Sequence, residues 1–440
     1  MSIGSMGGRR GGRARNLDSR AGLAVLFAML ALWLWAVTEG VATHPGRLLD
    51  FDYAVYVGAA HILQAGGNLY DHAALLVEEK RLLAAEHLTI GRPALARIGE
   101  PPVLFWALEP LAALPFQLSA LVFDLFLAVG AAAGGLATYV AVRRESIRWE
   151  GVCLTTAVLL AMPPTVIYVL SGNIGVVMFA AVGVGLLLAP RRPLIAGMIL
   201  SLTIVKPQVA LPLAGLILLF QAGSIRRGIA GFSVGVVAIV GASALAAGPR
   251  SIGWWVAGIH DFSGTIPVQG AMPSLPGLYG WAPGDLRALL SAGIVMIAVV
   301  ATIVTFLQLR RWQRPVPLLS VGWLWVLWFL AAPYCHLMDE VFLAPVVLAM
   351  LVGDSMPSRA DVSGGTRRGG LRGSGIALLY GAILSVLPVP LPSGISILPV
   401  VPLVAFAILV VHGHKMGPAV NEQDQLRVPV AIAPASSTHA

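Results

Sequence analysis

Apolar runs long enough to cross a membrane recur along almost the whole chain, and this feature restricts the fold more than any other. Each run has about 17 to 25 residues, which as a helix spans a hydrocarbon core about 30 Å thick. Only 11% of the residues are charged, against roughly 25% in an average soluble domain. The runs are continuous and do not alternate with a period of two, so they are not the strands of a membrane barrel. The sequence therefore predicts an all-α polytopic membrane protein.

The apolar runs predict about twelve spans, although the shorter ones also suit re-entrant segments. The predicted spans are 21–41, 117–142, 152–170, 174–190, 193–205, 208–223, 228–247, 287–309, 316–333, 338–353, 374–390 and 395–413. Segment 1–20 is expected to be a disordered, basic cytoplasmic N-terminus. Segment 21–413 is the transmembrane domain and contains a long first outer loop at 42–116, while 414–440 is expected to be a disordered cytoplasmic tail.

The positions of Lys and Arg orient these spans. The chain carries a net charge of +8, and in a membrane protein an excess of basic residues marks the cytoplasmic loops. The clusters "RRESIR" at 143–148 and "RRWQR" at 310–314 and the Arg-containing loop 354–373 fall on the same predicted side as the N-terminus. We therefore expect both termini in the cytoplasm. No phosphate-binding Gly-rich loop, dinucleotide fingerprint or basic aromatic platform is found, so no nucleic-acid partner is expected.

With this orientation, five polar stretches emerge on the outer face of the membrane. They are the loop 42–116, "SGN" at 171–173, "KPQ" at 206–208, the loop 248–286 and "PYCHLMDE" at 333–340. The inner loops carry mainly basic anchoring residues. The sequence therefore predicts a functional site on the extracytoplasmic side.

Two acids follow the first span within "RLLDFDYAVYVGAAHILQAGGNLYD". Asp50 and Asp52 share a side of an extended segment but lie about 200° apart on a helix. The apolar residues that follow suggest an amphipathic helix along the membrane surface, ended by Gly66 and Gly67. One reading makes an Asp the N-cap of this helix. The other makes an Asp a general base whose pKa is raised by partial desolvation. The residues alone leave both readings open.

Lys206 is a lone cation between two apolar runs, in "TIVKPQVALP". Ionisable residues at such positions are costly, and they often mark a functional site. The ammonium group can bind a lipid phosphate as a point charge. The alternative is that Lys206 extends to ordinary lipid headgroups.

Other polar residues carry weaker signals. Gly172 and Asn173 suit a tight turn, with substrate binding by Asn173 as the alternative. His336 and Asp339 are three residues apart and share a face of a helix. They could orient a sugar hydroxyl, contact a phosphate or bind a metal, although two residues are too few for a metal site. Asp124 lies within a span and is expected to face the helix bundle.

In this order, the motifs resemble glycosyltransferase family 87 (the DUF2029 group). These are polyprenyl-phosphate-dependent enzymes of the GT-C class and include mycobacterial α-1,2-mannosyltransferases. The stretch "DYAVYVGAAHILQAGGNLYD" matches the family's opening pattern and places its catalytic Asp on Asp52. "LSGNIG" is a degraded match to a Gly-Gln-x-Asn turn, whereas Lys206-Pro207 and "PYCHLMD" match intact elements. The family's Tyr-Pro-Pro is "EPP" here, so Glu100 replaces the tyrosine; the resemblance covers about residues 20–350.

The resemblance implies a GT-C-like bundle of about 10–12 transmembrane helices in a bacterial inner membrane. It implies an inverting transfer from a polyprenyl-phosphate sugar, with Asp52 as general base and with Lys206 and His336 binding the donor phosphate. The expected substrate-binding residues are Asp50, Tyr56, Tyr70, Asn173, Tyr334 and Asp339. The sugar would be mannose, which is favoured, or a pentose such as arabinose. The acceptor would be a glycolipid or cell-envelope glycan, and neither a cofactor nor a metal is implied.

Two other classes of protein share some of these features. A transporter or lipid-linked sugar flippase would also place isolated Lys and Asp residues in a polar cavity, but from broken helices deep in the bilayer. A non-catalytic scaffold would not need Asp52, Lys206 and His336 on one side. The concentration of polar groups on one face favours the enzyme.

Overall fold

The computed structural model describes residues 51–85, 97–143, 149–265, 272–279, 282–309 and 315–353. Within these ranges the regular structure is entirely helical, which confirms the all-α prediction. The α-helices are α1 (Phe51–Gln64), α2 (His72–Ala85), α3 (Pro102–Ala112), α4 (Phe116–Arg143), α5 (Trp149–Ala161), α6 (Pro163–Leu170), α7 (Gly175–Leu188), α8 (Pro193–Leu200), α9 (Ala210–Leu216), α10 (Ile225–Ala247), α11 (Arg250–Thr265), α12 (Gly284–Leu309), α13 (Leu318–Ala331) and α14 (Ala344–Gly353).

Three of these helices, α4, α10 and α12, are long and apolar enough to cross a membrane. They expose large apolar side chains that water would not favour but lipid would. Examples are Leu125, Val129, Val237, Leu245 and Met296. Shorter apolar helices include α7 and α13. These features confirm a polytopic membrane protein, while the predicted spans 21–41, 374–390 and 395–413 lie outside the described residues.

Several predicted spans are single runs in the sequence but broken helices in the structure. The run 152–170 divides into α5 and α6 at Met162, whose extended backbone (ψ 132°) precedes Pro163. A residue before proline is disfavoured in the helical region, so the break follows from the sequence. The run 193–205 ends in a 3₁₀ turn, Ser201–Val205, and the run 338–353 begins with another, Leu337–Leu343. These breaks place backbone ends and polar side chains between the helices.

In its described part, residues 51–85 and 97–116, the predicted outer loop contains helices α1 to α3. Tyr53, Tyr56, Ala59 and Ala60, expected on the apolar face of a membrane-surface helix, are all buried against other parts of the protein. The position of α1 relative to the membrane stays a prediction. Gly66 does end the helix region with a left-handed backbone (φ 71°), as predicted. Small residues such as Ala59 and Ala60 let neighbouring segments pack closely around α1. Its few polar residues therefore reflect burial on most of its surface.

Helix α1 is fixed to the long helix α4. The ring of Tyr53 stacks on Phe123 with centroids 4.5 Å apart, and its hydroxyl forms a hydrogen bond with Ser119. Helix α4 in turn approaches α7 closely, because a Cβ atom at Gly183 would lie 2.6 Å from the Gly134 carbonyl oxygen. Small residues at such crossings let backbones meet. Helices α1 and α7 are thereby positioned against the same support.

Candidate active site

Asp52 lies in the first turn of α1 and meets the turn between α6 and α7. Its backbone N–H donates to the Ser171 carbonyl oxygen at 3.0 Å, and its Oδ2 accepts from Asn173 Nδ2 at 2.7 Å. The carboxylate is only partly exposed. Two neighbouring residues of one turn therefore fix both the backbone and the side chain of Asp52.

The turn at 171–173 has the geometry needed for these contacts. Gly172 has a left-handed backbone (φ 66°), and a Cβ atom there would collide with the Cβ atom of Tyr53. The Oδ1 atom of Asn173 accepts from the Gly175 N–H at 2.9 Å, which leaves its NH₂ group to donate to Asp52. The predicted tight turn is thus present, and Asn173 orients the acid as well.

The environment of Asp52 suits a proton acceptor. Burial raises the pKa of Asp52 to about 6, the negative charge of Glu100 adds to the rise, and the Asn173 hydrogen bond and the charge of Lys206 oppose it. Helix α1 is not among the apolar helices that could cross a membrane. A carboxylate with such a pKa is largely ionised at neutral pH yet binds a proton more readily than an exposed one.

Lys206 follows the 3₁₀ turn Ser201–Val205 and is buried, with 7% of its surface exposed. Its Nζ lies 2.7 Å from Asp339 Oδ1 and donates to the Tyr168 hydroxyl at 2.8 Å. The ammonium group also lies 4.7 Å from the centre of the Tyr168 ring. Lys206 therefore points into the protein and does not extend to lipid headgroups.

Tyr168 is a member of this cluster that we did not single out in the sequence. It is fully buried on α6, and its hydroxyl donates to Asp339 Oδ1 while accepting from Lys206. Gly175 leaves room for its ring, since a Cβ atom there would lie 2.5 Å from it. A tyrosine hydroxyl inside an apolar run needs a hydrogen-bond partner, and that signal was present in the sequence.

His336 and Tyr334 continue the cluster from the segment after α13. The His336 backbone N–H donates to Asp339 Oδ2 at 2.7 Å, and the Asp339 N–H donates to the His336 carbonyl oxygen at 2.9 Å. The Tyr334 hydroxyl forms a hydrogen bond with His336 Nε2. Burial, followed by the positive charge of Lys206, lowers the pKa of His336 to about 3. The imidazole is therefore neutral and can serve as a hydrogen-bonding group.

Glu100 enters the site from the segment before α3. Its Oε1 accepts from the Tyr56 hydroxyl at 3.0 Å, and its Oε2 accepts from the Gly99 N–H at 2.9 Å. The Tyr70 hydroxyl donates to the Glu100 carbonyl oxygen at 2.6 Å. Burial raises the pKa of Glu100. Tyr56 and Tyr70, expected to bind substrate, thus hold Glu100 in place.

These groups surround a cleft of about 70 Å³. Its lining residues are Gly99, Glu100, Asn173, Val205, Lys206, Pro207, Gln208, Ile259, Tyr334 and His336. All five polar stretches predicted for the outer face contribute to the cleft or to the residues against it. Four of the predicted site residues do not line the cleft but contact residues that do: Asp52, Tyr56, Tyr70 and Asp339. Asp50 lies outside the described residues.

One further sequence feature lies apart from this cleft. Asp124 is partly buried on α4 and does not line it. Among the described residues, no group of three or more His, Cys, Asp or Glu side chains has the arrangement to hold a metal ion.

Comparison with known proteins identifies the family. The model of glycosyltransferase family 87 matches residues 100–333, more than half of the 440-residue chain. The match contains Glu100, Asn173 and Lys206, whereas Asp52 and His336 lie outside it and reach the site through packing. No curated protein and no solved structure matches the chain. The resemblance found in the motifs is confirmed, and the chain belongs to glycosyltransferase family 87.

Proposed function

We propose that this glycosyltransferase moves a sugar from a polyprenyl-phosphate donor to a glycolipid or cell-envelope glycan, with inversion at the anomeric carbon. The observation that carries the proposal is an oriented carboxylate, Asp52, which is hydrogen-bonded to Asn173 of the cleft wall and lies within electrostatic reach of Lys206, a buried cation that lines the cleft. Transfer of a sugar from a phosphate ester needs a base at the acceptor and a positive charge at the leaving group.

Asp52 acts on the acceptor. Its carboxylate takes the proton of the acceptor hydroxyl as that oxygen forms a bond to the anomeric carbon. The bond between the anomeric carbon and the phosphate oxygen breaks, and its electron pair leaves with the polyprenyl phosphate. Attack from the face opposite the phosphate inverts the configuration. The Asn173 hydrogen bond keeps the carboxylate in one orientation for this step.

Lys206 acts on the donor phosphate. An ammonium group has three N–H donors, and Asp339 and Tyr168 take two of them. The third is available to a phosphate oxygen in the cleft that Lys206 lines. His336 and Tyr334 line the same cleft and supply neutral hydrogen-bonding groups beside this cation. Binding of the ester by a held charge stabilises the leaving group as its negative charge grows.

The sugar ring lies between these two regions, beside Glu100, Asn173 and Gln208. Mannose is the favoured sugar and arabinose the principal pentose alternative. The family resemblance implies polyprenyl-phosphate donors of both kinds. A donor and an acceptor that are both lipid-linked or envelope-bound fit a chain with membrane-crossing helices. We place the reaction on the extracytoplasmic face of a bacterial inner membrane, where the distribution of Lys and Arg puts these segments.

The direct test uses purified protein in lipid nanodiscs. Polyprenyl-phosphate mannose and polyprenyl-phosphate arabinose are supplied with glycolipid acceptors, and wild type is compared with Asp52→Asn. We expect transfer by the wild type and a loss of about 10²-fold or more in kcat for Asp52→Asn, the range for a missing general base. The matched control is Asp285→Asn, an exposed acid in the first turn of α12, which should keep full activity.

Two results would count against the proposal. Equal turnover by wild type and Asp52→Asn would remove Asp52 as the base. Transfer from nucleotide sugars with no transfer from either lipid-linked donor would remove the proposed donor class.

A further inference from the structure

We propose that Glu100 binds hydroxyl groups of the donor sugar and selects which sugar is transferred. This inference rests on the proposed function, because it concerns the sugar part of the same lipid-linked donor. Glu100 is an acidic side chain in the cleft lining, so it would give the sugar a charged hydrogen-bond acceptor.

Glu100 lines the cleft directly, so its side chain can contact a bound ligand. It lines the same cavity as Asn173 and Lys206. It also lies close enough to Lys206 and Asp52 for their charges to interact. A ligand whose phosphate binds Lys206 and whose anomeric carbon lies near Asp52 would therefore bring its sugar ring next to Glu100.

The Glu100 carboxylate is held before any ligand arrives. Tyr56 fixes Oε1, the Gly99 N–H fixes Oε2, and Tyr70 fixes the backbone carbonyl. The Gly99 carbonyl oxygen accepts from Trp255 Nε1 at 2.8 Å, which fastens the segment to α11. A group fixed in this way loses little conformational entropy when it binds a ligand.

The contacts of Glu100 leave capacity for hydroxyl donors. An ionised carboxylate has about four acceptor positions, and two are used by Tyr56 and Gly99. Within the described residues, no Lys, Arg or His nitrogen lies within 4.0 Å of the carboxylate, since the ion pairs there involve Glu78 and Asp339. Sugar hydroxyls would supply the missing donors, and hydrogen bonds to a charged acceptor are stronger than those to a neutral one.

The internal contacts of Glu100 use only part of its carboxylate. Tyr56 donates to one oxygen and the Gly99 N–H donates to the other, and each oxygen keeps a further acceptor position. The charge becomes useful when a polyhydroxylated ligand fills the cleft. Glu100 therefore has the chemistry of a recognition group for a sugar.

The test measures equilibrium binding and does not depend on turnover. Wild type, Glu100→Gln and the control Glu109→Gln are placed in nanodiscs and titrated with polyprenyl-phosphate mannose, polyprenyl-phosphate arabinose and sugar-free polyprenyl phosphate. Glu109 lies on α3 and does not line the cleft. We expect Glu100→Gln to weaken binding of at least one sugar-bearing donor about tenfold, the effect of losing one charged hydrogen bond. Binding of sugar-free polyprenyl phosphate should stay within about twofold of wild type, which also shows that the variant is folded.

A second variant, Glu100→Tyr, replaces the carboxylate with a neutral hydroxyl group. We expect it to change the ratio of the two donor affinities by about tenfold or more. Equal weakening of all three ligands by Glu100→Gln, or no weakening of any, would overturn the role of Glu100 alone. Failure of wild type to bind any of the three would instead overturn the proposed donor class, and the inference would fall with it.

Discussion

The two sides of the cleft hold charged groups in different ways. On one side, the hydrogen bonds that the carboxylates of Asp52 and Glu100 accept from the described residues come from neutral groups: an amide, a hydroxyl and a backbone N–H. On the other side, Lys206 forms an ion pair with Asp339, which is itself held by Tyr168 and by the His336 backbone. Neutral partners leave a buried carboxylate ready to take a proton. Burial lowers the pKa of Lys206 to about 8, and the negative charges of Asp52 and Glu100 oppose that fall. The first arrangement suits a base, and the second leaves an ammonium group charged at neutral pH for a phosphate.

Removing one partner of a buried ion pair leaves the other charge uncompensated, so loss of the Lys206 cation should have the largest effect. Lys206→Met leaves the buried Asp339 carboxylate without its counter-ion, which costs about 3–5 kcal/mol in typical proteins. It also removes the cation at the leaving group, and we expect kcat to fall by about 10²–10³-fold. Thermal unfolding in detergent and steady-state transfer measure the two effects.

A double variant separates stability from function. In Lys206→Met with Asp339→Asn no charge is left unpaired, so the melting temperature should recover most of its loss. Activity should remain low, because the cation is still missing. Recovery of both properties together would show that Lys206 is needed only for folding.

Removing the hydroxyl of Tyr168 should have a smaller effect on the Lys206–Asp339 side of the cleft. Tyr168→Phe keeps the ring beside the ammonium group but removes one hydrogen bond to Asp339 and one from Lys206. We expect the KM of the lipid-linked donor to rise about tenfold, the usual effect of losing a charged hydrogen bond. The KM of the acceptor should not change, and a rise of both constants together would indicate general misfolding.

The pKa of Asp52 can be changed without removing its carboxylate. Asn173→Ala deletes the hydrogen bond that lowers the pKa of Asp52. The pKa should therefore move above about 6, and the low-pH limb of kcat/KM should shift to higher pH. The loss of activity should be largest in acid and smallest above neutrality. A pH profile that keeps its midpoint while the maximum falls would show that Asn173 acts on substrate and does not tune Asp52.

The sequence was sufficient where the physics is local. Long apolar runs predicted α4, α10 and α12, because length and hydrophobicity alone decide whether a helix can cross a membrane. Gly172 and Asn173 predicted the turn between α6 and α7, since a left-handed backbone favours these residue types. Charge placement grouped the polar stretches that the cleft brings together.

The sequence was not sufficient where the contact is long-range. Lys206 and Asp339 are far apart in the chain, and no local pattern pairs a lone Lys with one acid among several. Helix α2 lies in a region interpreted as loop, although "HAALLVEEKRLLAA" contains strong helix formers and could have been recognised. The burial of α1 depends on its neighbours, so it could not have been predicted from its own residues.

The pH dependence of kcat/KM for wild type and Asp52→Asn tests the central claim most directly. For a base with a pKa of about 6, wild-type kcat/KM should rise about tenfold per pH unit below that value and level off above it. The low residual activity of Asp52→Asn should show no such limb. A wild-type profile that is flat from about pH 5 to 8, or an Asp52→Asn profile with the same limb, would contradict the assignment of Asp52 as the general base.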